Sequence, residues 1–315
     1  MKSSHVLKSP DSQTRLETIN LMDEFWDFFE RTQTSSPEEK IHIFKNTIIE
    51  PNLSCYSYVF GIGDEGLIQY INAVAPKIDI LRSSQSGVLD RIQEILERFQ
   101  VQFPGFDCGF ATYLLPSLNL FKGIAVPSQE KIILLLGLDS LSELTDNHLK
   151  GYLTHELFHV YHFQRTPAVS VAAELALRTG KMPHLWGLLW AEGLACHAVR
   201  SVYPEIPEEE VLDWRPLINQ IKPLLSDLAR EARKVLTSDA PQDIAGFFYF
   251  PRDAGSNIPT GCGYYIGMLI ADALAKKYPI DTLIELEDET LISEIDSALF
   301  ELQEQDRSWI SRRTK

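Results

Sequence analysis

The five residues His155-Glu156-Leu157-Phe158-His159 constrain this chain more than any other stretch. Histidines at i and i+4 share a face only on a helix, where such a pair has Cβ atoms about 5–6 Å apart. Two imidazoles so placed can converge on one ion at roughly 2.0–2.1 Å each. The glutamate one position after the first histidine lies beside that face. It can reach a water at the metal without ligating the metal, as a general base must. The plainer reading of the same spacing is an amphipathic helix whose histidines happen to line one side.

The surrounding residues predict the helix that the motif requires. Thr145, Asp146 and Asn147 are good N-caps. Leu149, Tyr152, Leu153, Leu157, Val160 and Tyr161 recur at helical spacing. Pro167 disfavours helix in the residue before it, which sets an end near Gln164. Two close histidines inside an apolar helix call for a shared partner, because an unpaired buried polar group is costly.

A catalytic zinc needs a third protein ligand and an open position. Glu192, in Trp190-Ala191-Glu192-Gly193-Leu194-Ala195, is the best candidate. It interrupts an otherwise almost wholly apolar run from Leu185 to Val199, where an ionised carboxylate without a partner would cost several kcal/mol. No lysine or arginine stands within one helical turn of it in the sequence. Gly193 beside it permits a close approach by another backbone. Other metal motifs fail on spacing. An extended metzincin pattern would place glycine at 162 and histidine at 165, where this chain has His162 and Arg165. A deformylase-like cysteine ligand is not matched by Cys108-Gly109-Phe110. His162 is either an outer partner of the metal ligands or a core histidine.

Taken in order, His155-Glu156-x-x-His159 and Trp190-x-Glu192-Gly193-Leu194-Ala195, followed by Gly263-Tyr264-Tyr265-Ile266-Gly267, resemble a gluzincin metallopeptidase. The wording is similar to a bacterial family of unknown function predicted to be zinc-dependent proteases, over roughly residues 50–300. The resemblance implies zinc on His155, His159 and Glu192, with Glu156 as general base. It also implies a tyrosine, Tyr264 or Tyr265, as the hydroxyl that steadies the developing oxyanion. Tyr265 is favoured, because Met268 and Leu269 continue its apolar face. One departure stands out. Some gluzincins carry an aspartate four residues after the glutamate ligand, and here that position is Cys196.

Composition narrows the partners. A formal net charge of −15, from 44 acidic and 29 basic residues, makes nucleic acid and anionic membranes poor partners. Four scattered cysteines with no C-x-x-C pair predict neither a disulfide framework nor a cysteine-type zinc site, and fit a reducing cytoplasm. The polar first twenty residues show no secretory signal, and no apolar run is long enough to span a bilayer.

The expected architecture is α+β and mainly helical: a zincin-like fold with a small, mainly antiparallel sheet before the H-E-x-x-H helix. Residues 1–10 read as disordered. Leu16, Ile19, Met22, Trp26 and Phe29 read as a helical stripe, giving an N-terminal helical extension over residues 1–50. A metallopeptidase domain follows over 51–315, with its sheet part about 105–140 and its helical part about 141–315. Strands are expected at Phe110 to Leu115, Gly123 to Val126 and Ile132 to Leu138. The last is either an edge that holds substrate as an added strand or a core strand. Gly246 to Pro259, with Phe247, Phe248, Tyr249 and Phe250, reads as an irregular lid, wall or plug.

The leading expectation is a zinc-dependent peptidase acting on a peptide or protein substrate. The alternative is a non-catalytic peptide- or metal-binding regulatory protein on the same scaffold. A purely structural zinc site would need a fourth protein ligand.

Overall fold

The computed structural model describes residues 4–8, 15–57, 62–127, 132–211, 215–248, 258–286 and 288–313. Tyr249 and Phe250 of the aromatic segment lie outside them. The chain forms two compact units, Met1–Gln164 and Arg165–Lys315.

The first unit contains five strands, β1 (Ser4–Lys8), β2 (Arg15–Asn20), β3 (Ala111–Leu115), β4 (Gly123–Pro127) and β5 (Ile132–Gly137). Its helices are α1 (Met22–Arg31), α2 (Pro37–Phe44), α3 (Leu53–Tyr56), α4 (Asp64–Val74), α5 (Ile78–Gln102), α6 (Leu138–Leu141) and α7 (Asp146–Arg165), the last ending one residue past the unit boundary. The sheet order is β1-β2-β3-β5-β4. The β2–β3 and β3–β5 pairs are parallel, while β1–β2 and β4–β5 are antiparallel. The sheet is therefore mixed rather than mainly antiparallel.

Strand chemistry explains that order. Ile132-Ile133-Leu134-Leu135-Leu136 is apolar on both faces, so β5 takes an interior place between β3 and β4. Gly123-Ile124-Ala125-Val126-Pro127 ends in a residue with no N–H to give a second neighbour, so β4 takes the edge. The edge is thus β4 and not the Ile132–Leu138 segment. The turn before β4 passes through Leu118 and Asn119, both at φ 58°. Ser117 anchors it: its N–H donates to Asp139 Oδ1 at 2.7 Å, and the Tyr70 hydroxyl donates to Asp139 Oδ2 at 2.8 Å.

Residues 4–8, expected to be disordered, form β1, and residues 15–20 correct the start of the expected N-terminal helix. Leu16 and Ile19 sit in β2, and only from Met22 onward is the stripe helical. Parallel pairing of β2 with β3 needs a long crossover, which α1 to α5 supply. Phe25, Phe28, Phe44 and Tyr70 meet edge to face or tilted in the core of that crossover.

The described residues of the second unit form helices and their connections, with no strand among them: α8 (Pro167–Thr179), α9 (Leu185–Val202), α10 (Arg215–Ile221), α11 (Leu225–Lys234), α12 (Pro241–Phe248), α13 (Cys262–Leu274), α14 (Ile280–Leu283) and α15 (Asp288–Arg313). Pro167 both stops α7 and opens α8 at its first position, where the missing N–H is harmless. Gly246, Phe247 and Phe248, expected to be irregular, finish a regular helix and are buried, while 249–257 of that expected stretch lie outside the described residues. The centre is the α9–α13 pair. A Cβ on Gly193 would lie 2.3 Å from the Gly267 carbonyl, and one on Gly267 would lie 2.3 Å from the Leu189 oxygen. Only glycine at both positions allows this backbone contact. No described helix is long and apolar enough to cross a membrane.

Candidate metal centre

The site is built on α7. The Thr145 hydroxyl accepts from the His148 N–H at 3.3 Å and caps the helix. Phe158 and Tyr161 pack on Phe103 of the α5 C-terminus at ring distances of 5.5 and 5.3 Å. Full burial of such side chains contributes roughly 1.5–3 kcal/mol each. With that face fixed, the half-buried positions Tyr152, Glu156, His159 and Phe163 follow one another along the opposite side.

His155 is 4% exposed and His159 half-buried. Their rings stand nearly perpendicular, and the two Nε2 atoms are 3.0 Å apart. Two nitrogens bound tetrahedrally to one zinc would be roughly 3.3 Å apart, so the pair has the spacing of a shared ion. Glu192 is half-buried on α9, next to the Gly193–Gly267 backbone contact. One ligand atom from each of His155, His159 and Glu192 lies within 4.8 Å of the others. Among the described residues this is the one group of three or more such side chains so disposed. Two imidazoles and a carboxylate are a donor set that suits zinc and other divalent transition metals.

Glu156 is not in that group. Its Oε2 accepts from the Ala125 N–H of the edge strand at 3.0 Å. Gly123 makes this possible, since a Cβ there would sit 2.7 Å from Glu156 Cγ. The carboxylate is therefore seated against β4 while the neighbouring histidines turn toward each other. Sequence reading missed Gly123 and Ala125. The available signal was a glycine at a strand start, which often marks a close backbone approach.

The tyrosines separate. Tyr265 is 3% exposed and its hydroxyl donates to Glu208 Oε1 at 2.7 Å, an oxygen that also pairs with Lys222 Nζ at 3.1 Å. Burial, then the Glu208 bond, pushes that hydroxyl's pKa well up. The hydroxyl is thus held by Glu208. Tyr264 is half-buried with its ring edge to face on Phe248 at 5.2 Å.

His162 is a core histidine, 2% exposed, and burial followed by His159 pushes it down to about 3, so it stays neutral. Cys108 accepts from Gln100 Nε2 at 3.1 Å, and burial pushes its thiol up to about 11, which removes thiolate character. Cys196 is fully buried and supplies no carboxylate. A carboxylate–histidine pair does occur near it: His197 Nδ1 lies 2.6 Å from Asp272 Oδ1, and Arg200 pairs with the same aspartate. These contacts tie α9 to α13.

Comparison with protein-family models, with curated proteins and with solved structures returns no match for this chain.

Proposed function

We propose that the chain is a zinc-dependent peptidase of gluzincin type with a zincin-like fold. One observation carries the reading: the ligand atoms of His155, His159 and Glu192 come within 4.8 Å of one another, while Glu156 stays outside them, held by Ala125. Ligands and base are thereby separated, as metal-assisted hydrolysis requires. Zinc bound there would supply a Lewis acid that polarises the scissile carbonyl and acidifies a water.

The rest falls to the chain's own groups. Glu156 takes the proton of the attacking water and passes it to the leaving amine, a role worth about 10²–10⁴-fold. The edge strand offers the substrate a ladder. Lys122 O accepts from Gly137 N at 2.9 Å, so by antiparallel alternation Gly123 and Ala125 turn their backbone groups away from β5. The Ala125 N–H is given to Glu156, and among the described residues the Ala125 C=O and both Gly123 groups are left for an extended peptide. The resemblance assigns the oxyanion hydroxyl to Tyr264 or Tyr265, and of these Tyr265 donates to Glu208. Four buried cysteines suit a reducing cytoplasm as the place of action.

A second reading, a non-catalytic peptide- or metal-binding regulator, is favoured by Cys196 at the expected acid position and by the engagement of Tyr265. Elemental analysis of protein purified without added zinc, with casein digestion alongside, tests both. About one zinc per chain with digestion supports the peptidase. One zinc without digestion supports the regulator, and no zinc after supplementation sinks both metal readings.

A further inference from the structure

Lys122, the residue before the edge strand, is a half-buried cation. Acidic residues outnumber basic ones 44 to 29 in this chain, so acid partners are plentiful. Lys45, Lys77, Lys150, Lys222, Lys234 and Lys277 each take one. Lys122 takes none among the described residues. Its ammonium lies instead 4.7 Å from the centroid of the Tyr152 ring. A ring face holds a cation in place but does not neutralise it.

The position gives this charge a use. Tyr152 is one helical turn before Glu156 on the same half-buried side of α7, a rise of about 5.4 Å. Lys122 adjoins Gly123, which packs on the Glu156 stem. An extended peptide advances about 3.3 Å per residue. A charge on Lys122 therefore falls within one or two residues of a bond held over Glu156.

We infer that Lys122, presented on the Tyr152 ring, recognises a carboxylate of the peptide substrate close to the scissile bond. The carboxylate is either an Asp or Glu side chain or the peptide's own C-terminus. In a chain of net charge −15 an acidic peptide gains nothing from the overall field, so this preference has to be local. The inference rests on the peptidase reading for the place of the scissile bond, but not for the charge preference itself.

The test uses the full-length Glu156→Gln protein, which separates binding from cleavage. The probes are fluorescein-labelled hexapeptides based on Ala-Ala-Phe-Leu-Ala-Ala. One glutamate or glutamine is moved through each position, and each peptide is made as the free acid and as the amide. Binding is read by fluorescence anisotropy. The expected result is about tenfold tighter binding of glutamate over glutamine at one position, or of acid over amide. The first outcome identifies a side chain and the second a C-terminus. The preference should vanish in Glu156→Gln/Lys122→Met, return with Lys122→Arg and weaken with salt. A set in which charged and neutral members bind alike, in which none binds, or in which Lys122→Met keeps the preference, overturns the inference. Zinc content and casein digestion by the parent judge the peptidase reading separately.

Discussion

Replacing Gly123 with alanine adds one methyl group at the point where the edge strand meets the candidate base. That carbon would lie 2.7 Å from Glu156 Cγ, 3.4 Å from Glu156 Cδ and 3.6 Å from Leu136 Cδ2. Ordinary carbon contacts are about 3.5–4.0 Å, so Cγ must retreat by roughly 1 Å. Glu156 cannot retreat and also keep its 3.0 Å bond from Ala125 N–H without bending the strand. A hydrogen bond to a charged acceptor is worth about 1.5–3 kcal/mol, and overpacking costs about 1–3 kcal/mol. The unfolded chain loses freedom on the same change, which offsets about 0.4–1 kcal/mol. Since either the bond is lost or the packing is strained, the net destabilisation is on the order of 0.5–2.5 kcal/mol, a fall in Tm of a few degrees that leaves a folded protein. Catalysis should suffer far more, because a base displaced by about 1 Å can cost about 10²-fold. The assay is kcat for casein digestion alongside bound zinc and Tm. Expected are a fall in kcat of about a hundredfold, a full complement of zinc, and a modest loss of Tm. Parental turnover in a folded Gly123→Ala variant would refute the claim that β4 positions Glu156. Loss of zinc would show that the strand shapes the ligand set instead.

Four further outcomes follow from the same geometry. Glu156→Gln should keep its zinc and its circular dichroism while losing hydrolysis by about 10²–10⁴-fold, since the amide accepts no proton from water. Glu192→Ala should lower zinc occupancy in elemental analysis with little change in helix content, because the carboxylate is half-buried and α9 keeps its glycine contact with α13. Retained stoichiometric zinc would remove Glu192 from the ligand set. Tyr265→Phe should leave kcat near the parent and lower stability by about 1.5–3 kcal/mol in urea melts, as the Glu208 bond is lost. Tyr264→Phe should lower kcat with little change in KM, and equal kcat in both variants would place the oxyanion donor elsewhere.

Much of α7 was legible in the sequence because everything that forms it is local. Thr145 caps it, Leu149, Leu153 and Leu157 give it a buried face, and Pro167 limits it, all within reach of one another along the chain. The i, i+4 spacing then brings His155 and His159 together without help from the rest of the fold. Glu192 was nameable for a related reason, as a lone carboxylate in an apolar helix. What depended on remote partners was not legible. Leu16, Ile19 and Met22 fit a helical stripe as well as a strand, and the choice fell to β3, nearly a hundred residues later in the chain, which pairs with β2. Only the completed sheet decides that β5 is interior and β4 is edge. Only the folded chain delivers the Ala125 N–H to Glu156 and holds the Tyr265 hydroxyl on Glu208. Periodicity reports which face of a segment is buried, whereas the identity of the neighbour across that face is a long-range contact that no local pattern encodes.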